Sequence, residues 1–365
     1  MKLFRMKRFK MKQFKVKQFQ WGYGLFLLLG ALWLWAGNAH AGSLYRVDCT
    51  AIMSNVNISN AVTPANVDSA SITATLDYSC TNRGIRTGYV SVCLGVDSGD
   101  YNDTTFPPRY LKNTADSNRK LAFTMRLPER NGVIWGTRVS GSSEYNTGPL
   151  EMPRRPGLLG TQSSISGSVL IDVSLIPNDG NALAIPGTYT NNFNAGHTAL
   201  TFKADEDRSS SNCATEDQDD IRFPFTVQAT VVPSCEITAT SDVNLGNYSA
   251  SQTDITGSNN NAIGVTCTNE ASYYIGLTPS NDNTNGAGVM KSSGSNTDKV
   301  PYQLRSTAGT GGKIWGNTAT TTDVGNGVAG IGSGVFQTQT VYVTVPSADF
   351  KPDNYSDTVT IRVNY

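Results

Sequence analysis

The sequence lacks an apolar run long enough to cross a membrane. Its longest such run, Leu25–Trp35, has about 11 residues, whereas a membrane-spanning helix needs about 20. Acidic residues are absent from the first twenty positions, which carry eight basic ones. The small-residue triplet Ala39-His40-Ala41 follows the apolar run. This order predicts a signal peptide over residues 1–41 that is removed on export.

Histidine and surplus basic charge are scarce in what remains after cleavage. Residues 42–365 keep a single histidine, His197, which excludes a histidine cluster for a metal and a pair of catalytic histidines. They hold 21 basic and 29 acidic residues, a net charge of −8, so a nucleic-acid partner is disfavoured. A Ser–His–Asp triad would have to use His197, which has no nucleophile motif such as G-x-S-x-G beside it. We expect no enzymatic activity and no cofactor.

All six cysteines lie after the signal peptide, and an even number in an exported chain favours disulfides. A zinc site is a weak alternative, because there is no C-x2-C pair and His197 has no histidine partner. The six residues are Cys49, Cys80, Cys93, Cys213, Cys235 and Cys267.

The two halves of the chain repeat one pattern. Each half has a cysteine, then Cys-Thr-Asn 31 or 32 residues later, then an Ile-Trp-Gly triplet. Trp135 and Trp315 in these triplets are the only tryptophans after the signal peptide. The repeat predicts duplicated β domains. It also suggests the bonds Cys49–Cys80 and Cys235–Cys267, and elimination leaves Cys93–Cys213.

Alternating apolar residues indicate half-buried strands, with Gly- and Asn-rich stretches as turns. We therefore predict an all-β protein with two tandem immunoglobulin-like sandwiches. The N-terminal domain is expected at 42–204 and the C-terminal domain at 221–365, whose own first strand would lie within Ile221–Ser234. The stretch 205–220 has seven acidic residues and is interpreted as a solvated linker. A calcium loop is the alternative, but the stretch lacks the glycine that an EF-hand requires.

The second half resembles a known family over about Phe223–Tyr365. The resemblance rests on Val231-Val232-Pro233-Ser234-Cys235, Leu245-Gly246-Asn247-Tyr248, Val265-Thr266-Cys267-Thr268, Tyr302-Gln303-Leu304, Trp315-Gly316 and the run Tyr355–Ile361. These segments are similar to the spore coat protein U domain, found in subunits of archaic chaperone–usher pili. The first half resembles it more loosely and departs after Tyr189. There it reads Thr190-Asn191-Asn192-Phe193, where the second half has Ser356-Asp357-Thr358-Val359.

The resemblance implies an incomplete sandwich completed by a strand from a partner. Expected partners are a periplasmic chaperone, an outer-membrane usher, an adjacent pilin subunit that donates its N-terminal strand, and an abiotic or host surface. The strand-accepting edge is expected to include Phe223, Phe225, Val227, Val359, Ile361, Val363 and Tyr365.

A position at the pilus tip, outside the cell, is expected from the N-terminus. Gly42–Asp48 offers only seven residues before Cys49 to donate to another subunit. The segment Ala195–Phe202 is a hypothetical source of a missing strand for the N-terminal domain.

Two apolar loops of the N-terminal domain are the predicted surface-binding elements, because exposed apolar clusters tend to mark contact sites. The alternative is that these residues fold back onto the sandwich. A lectin-like tip and a minor structural subunit are the other functions considered. The predicted contact residues are Phe106, Pro107, Pro108, Tyr145, Leu150, Met152, Leu158 and Leu159.

Overall fold

The computed structural model describes residues 46–101, 107–137, 143–154, 162–209, 211–213 and 221–365. The predicted signal peptide, 1–41, lies outside the described residues. Within the described part, no helix is long and apolar enough to span a bilayer.

The N-terminal domain is built of strands, joined by short turns and by 3-10 helices at Pro128–Arg130, Asn181–Leu183 and Ala195–His197. Its strands are β1 (Val47–Met53), β2 (Val56–Asn57), β3 (Ser71–Asn82), β4 (Gly88–Val96), β5 (Arg109–Asn113), β6 (Lys120–Leu127), β7 (Val133–Ile134), β8 (Tyr145–Asn146), β9 (Leu150–Met152), β10 (Ser163–Leu175), β11 (Gly187–Phe193), β12 (Thr198–Asp205) and β13 (Phe225–Val231).

These strands form two facing sheets. The larger has the order β1-β3-β10-β6-β5-β11-β13-β2, with β7 beside β6; the smaller has the order β12-β4-β8, with β9 also beside β4. Side chains alternate between core and solvent along the strands, as in β13, where Phe225, Val227, Ala229 and Val231 are buried. The apolar faces of both sheets meet in one core, which includes the fully buried Trp135.

The C-terminal domain repeats this arrangement with fewer strands. They are β14 (Cys235–Ala239), β15 (Thr253–Cys267), β16 (Ser272–Pro279), β17 (Ala287–Ser292), β18 (Lys299–Arg305), β19 (Val328–Ile331), β20 (Gln337–Ser347), β21 (Tyr355–Ser356) and β22 (Val359–Asn364). One sheet has the order β14-β15-β20-β18-β17-β21 and the other β19-β16-β22. The all-β, two-sandwich prediction is confirmed.

Equivalent hydrogen bonds mark the duplication. The indole Nε1 of Trp135 donates to the Leu94 carbonyl over 2.9 Å, and that of Trp315 donates to the Ile275 carbonyl over 2.8 Å. Each domain also has a tyrosine hydroxyl that donates to the carbonyl four residues earlier. Tyr189 does so to Ile185 and Tyr355 to Lys351, the tyrosine corner of immunoglobulin-like folds.

The three disulfides are those predicted from the repeat and by elimination. Cys49–Cys80 joins β1 to β3, and Cys235–Cys267 joins β14 to β15, in the same register position of the two sandwiches. Cys93–Cys213 ties β4 to the segment after β12. The last bond fixes a chain segment that comes shortly before β13.

Strand β13 corrects one prediction. Ile221–Ser234 was expected to supply the C-terminal domain's first strand, yet β13 pairs with β11 of the N-terminal sheet over Gly187–Phe193. Alternation indicates that one face of a strand is buried, but it does not indicate which core buries it. The two cores therefore divide after Val231, although the linker was predicted at 205–220.

The hypothetical completing segment, Ala195–Phe202, also has a different role. Its strand, β12, pairs with β4 in the smaller sheet from Thr198↔Val96 to Asp205↔Tyr89. It is the counterpart of β22, which pairs with β16 in the C-terminal domain. The strand that completes the N-terminal sandwich is β13, which has no counterpart after β22 among the described strands.

Candidate functional site

Strand β13 shows how one of the two sandwiches is closed. It runs antiparallel to β11 and parallel to β2, so that backbone hydrogen bonds hold it on both sides. Its inward side chains, Phe225, Val227, Ala229 and Val231, are at most 4% exposed. Fully burying a Phe or Val side chain contributes about 1.5–3 kcal/mol each. β13 is therefore a principal stabiliser of the N-terminal core.

The same position in the C-terminal domain is an open groove. One wall is the chain from Ala239 to Gly246, the counterpart of the β2 region, and the other runs from Tyr355 to Ile361. The groove has a volume of about 670 Å³. In the described part of the chain, no strand pairs with either wall on the groove side. The groove is therefore the place that a counterpart of β13 would fill.

The floor of the groove is apolar. It includes side chains from four strands of the domain, Ile263, Leu277, Leu304, Val341 and Val343. Val341 and Val343 keep 6% and 7% of their surface exposed, whereas Ile171 and Val173 on the corresponding strand β10 keep none. This residual exposure is expected where no strand covers that part of the core. A peptide strand with alternating apolar side chains matches such a floor.

A tyrosine–carboxylate pair lies at the rim. The hydroxyl of Tyr302 donates to Oδ2 of Asp357 over 2.6 Å. Burial raises the pKa of Tyr302, and the hydrogen bond and the charge of Asp357 raise it further. The phenol is therefore neutral at physiological pH and holds Asp357 beside the edge where β21 ends. The pair positions this wall and offers no nucleophile.

Three of the predicted edge residues lie in the groove or against its core, and the other four do not. Val359 and Ile361 line the groove, and Val363 packs half-buried against the same core. Tyr365 is 47% exposed. Phe223, Phe225 and Val227 do not belong to this edge, because they are buried in the N-terminal core.

Sequence reasoning missed the opposite wall of the groove. Val243 and Leu245 lie half-buried there against the C-terminal core. The signal that could have located them is the repeat. This segment follows Cys235 as Val56 of β2 follows Cys49, and Val56 lies beside the completing strand.

The predicted surface-binding loops are partly contradicted. Met152 is fully buried, and Tyr145 and Leu150 pack against the N-terminal core, because β8 and β9 pair with β4. These three residues stabilise the sandwich, which was the alternative reading. Pro107 is exposed and Pro108 half-buried. Phe106, Leu158 and Leu159 lie outside the described residues.

The side chain of His197 contacts two aspartates and has a structural role. Its Nδ1 lies 2.9 Å from Oδ2 of Asp97, and its Nε2 lies 3.4 Å from Oδ1 of Asp100. Among the described residues, no group of three or more His, Cys, Asp or Glu side chains could hold a metal ion. The contacts join the end of β4 to the 3-10 helix before β12.

Residues 221–362 match the family model of the Spore Coat Protein U domain. The matched segment begins before β13, so the extension that precedes its first cysteine, Cys235, lies in the sheet of the preceding domain. None of the curated proteins compared matches the chain.

Several solved structures are similar to the chain at low identity. The chaperone–tip adhesion subunit complex of the archaic Csu pili of Acinetobacter baumannii matches at 15% identity and a TM-score of 0.47, over 87% of this chain and 100% of that one. The CupB6 tip adhesin of Pseudomonas aeruginosa matches at 11% and 0.31, over 87% and 94%. CfaE, the adhesive subunit of CFA/I fimbria of enterotoxigenic Escherichia coli, matches at 11% and 0.29, over 86% and 92%.

Proposed function

We propose that this chain is a tip subunit, an adhesin, of an archaic chaperone–usher pilus. One observation carries the proposal: two duplicated sandwiches stand in one chain, one closed by β13 and the other open at the equivalent groove. The closed domain is suited to act at the end of a fibre. The open domain is suited to join the fibre.

The C-terminal groove is the proposed joint. A periplasmic chaperone would first cover the groove, and the N-terminal strand of an adjacent pilin would replace it at the outer-membrane usher. Main-chain hydrogen bonds along the walls would supply affinity, and alternate apolar side chains on the floor would supply specificity. An open edge above an apolar core also needs such cover to avoid aggregation.

The fate of the extension before Cys235 supports the tip position. In a donor subunit that extension must be free to enter a neighbour's groove. Here β13, within that extension, is held by seven register pairs with β11 and by the buried Phe225 and Val227. A strand already committed within its own chain is not available to another subunit.

Attachment to abiotic or host surfaces, and biofilm formation through it, is assigned to apolar loops of the N-terminal domain. The residues that remain in this proposal are Phe106, Pro107, Pro108, Leu158 and Leu159. Pro107 is exposed, and proline lowers the ordering cost of a loop on binding.

Immunogold labelling of the N-terminal domain on intact fibres tests the placement. We expect label at one end of each fibre and attachment lost when the chain is deleted. Label along the shaft, or loss of the fibre body on deletion, would identify a structural subunit instead. If free sugars block attachment while replacement of the apolar loop residues does not, the N-terminal domain is a lectin.

A further inference from the structure

Two tyrosines and two lysines lie together on the outer face of the larger N-terminal sheet. Tyr110 and Lys112 are alternate residues of β5 and share its outer face, and Lys112 lies directly opposite Lys120 of β6. Tyr101 comes from the loop after β4. We call Tyr101, Tyr110, Lys112 and Lys120 the Tyr–Lys cluster.

Each ammonium of the cluster lies over an aromatic ring. Nζ of Lys112 is 4.0 Å from the ring centroid of Tyr101, and Nζ of Lys120 is 4.1 Å from that of Tyr110. An aromatic face attracts a cation without neutralising its charge. The rings therefore hold the two ammonium groups in defined positions on neighbouring strands. Without such contacts, like charges directly opposite each other on neighbouring strands repel.

Carboxylates do not compensate these charges in the described part of the chain. Neither lysine has an acidic side chain within ion-pair distance there. Asp100, beside Tyr101, accepts hydrogen bonds from the amides of Asn192 and Asn194. The nearby Asp116 pairs with Arg119.

The lysines begin a row of side chains across four strands. Lys120 is opposite Lys112, Lys112 is opposite Thr190 of β11, and Thr190 is opposite Gln228 of β13. Directly opposite residues point to the same face, and strands are about 4.8 Å apart. The row thus places two ammonium groups, a hydroxyl and an amide in line, with no apolar side chain among them.

The C-terminal domain supplies an internal comparison. Its hairpin of β17 and β18 also has two lysines directly opposite each other, Lys291 and Lys299. Within the described residues, no aromatic ring lies over either of them, and the cation–ring contacts described belong to the N-terminal domain. The held and uncompensated pair is therefore specific to the first sandwich.

We infer that the Tyr–Lys cluster binds an acidic polysaccharide, whose repeated carboxylate or sulfate groups bridge Lys112 and Lys120. The hydroxyl of Thr190 and the amide of Gln228 continue the row as hydrogen-bonding partners for sugar hydroxyls. Tyr101 and Tyr110 flank the loop of Pro107 and Pro108, and the proposal does not depend on the tip position.

The test is equilibrium binding of the purified full chain to dextran sulfate, polygalacturonate and uncharged dextran of similar length. We expect both acidic polymers to bind and dextran not to bind. Dextran sulfate alone would assign the site to sulfate, and polygalacturonate alone to carboxylate. Dextran bound as tightly as the acidic polymers would overturn the proposal.

Variants locate the site. Lys112→Gln with Lys120→Gln is expected to weaken binding about 100-fold, since each charged contact contributes about tenfold. The matched control, Lys291→Gln with Lys299→Gln, removes the same charge from the equivalent hairpin and should change binding less than twofold. Lys112→Arg with Lys120→Arg keeps both positive charges and should retain binding. Equal losses in the two Gln pairs would mean unspecific charge attraction and would refute the site.

Discussion

Phe225 stacks on Phe193, with ring centroids 4.7 Å apart and ring planes 7° from parallel. The two residues are opposite each other at the end of the β11–β13 pairing. Trp135 lies beside them, with its centroid 6.4 Å from that of Phe225. The segment between the domains is therefore anchored in the N-terminal core by aromatic contacts.

Replacing Phe225 should destabilise the N-terminal domain. Phe225→Ala removes a buried ring and leaves a cavity, which typically costs about 3–5 kcal/mol. Urea unfolding followed by tryptophan fluorescence of Trp135, in a Trp315→Phe background, measures the loss. Pro224→Ala, at the exposed neighbouring position, is the control and should shift stability little. Equal stability of both variants would contradict the role of β13.

A charge placed in the C-terminal groove should block strand addition without unfolding the domain. Val243 is half-buried in the groove wall, so Val243→Arg puts a cation where a donor side chain would enter. We expect the variant to be absent from purified fibres. Ile331→Arg is the control, since Ile331 is 65% exposed on another edge and should be incorporated normally. Normal incorporation of Val243→Arg would exclude the groove as the joint.

The disulfide Cys93–Cys213 should stabilise the N-terminal domain selectively. It closes a loop with a sequence separation of 120 residues, and chain-entropy estimates for loops of this length are about 4–5 kcal/mol. Calorimetry of Cys93→Ala with Cys213→Ala should show a lower Tm for one of two transitions. In the double variant Cys235→Ala with Cys267→Ala, the Tm of the other transition should be lower. A change in both transitions in each variant would mean that the domains unfold as one unit.

Tyr302 should make the C-terminal domain sensitive to alkali. Its folded pKa is raised above the ordinary value near 10.0 by burial and by Asp357. The unfolded chain thus loses this proton first, so stability is full below about pH 10 and falls by up to about 1.4 kcal/mol per pH unit above it. Tyr302→Phe should flatten this part of the stability–pH profile, measured by urea unfolding. Tyr248→Phe, at an exposed tyrosine, should leave it unchanged; identical profiles for both variants would count against the Tyr302 assignment.

Local and repeated signals in the sequence predicted much of the molecule. The Ile-Trp-Gly triplets predicted the duplication, and the structure shows both tryptophans buried with equivalent indole hydrogen bonds. The repeat spacing predicted the paired disulfides of β1–β3 and β14–β15. Both signals work because duplicated sandwiches place equivalent residues in equivalent positions.

Loop chemistry was less informative. Tyr145, Leu150 and Met152 looked like an exposed apolar loop, but short pairings with β4 turn them onto the core. A cluster of apolar residues is compatible with either a binding surface or a covering loop. Only the position of the neighbouring strand distinguishes them.

By itself, the sequence determined the strands, the duplication, the cysteine pairs and the kinship of the second domain, since these depend on spacing and alternation along the chain. The tertiary structure alone decided that β13 closes the first sandwich and that the second keeps an open groove. The physical reason is that strand pairing is non-local. The alternation of Phe225 and Val227 requires a core, and only the register with β11 shows that it is the first one.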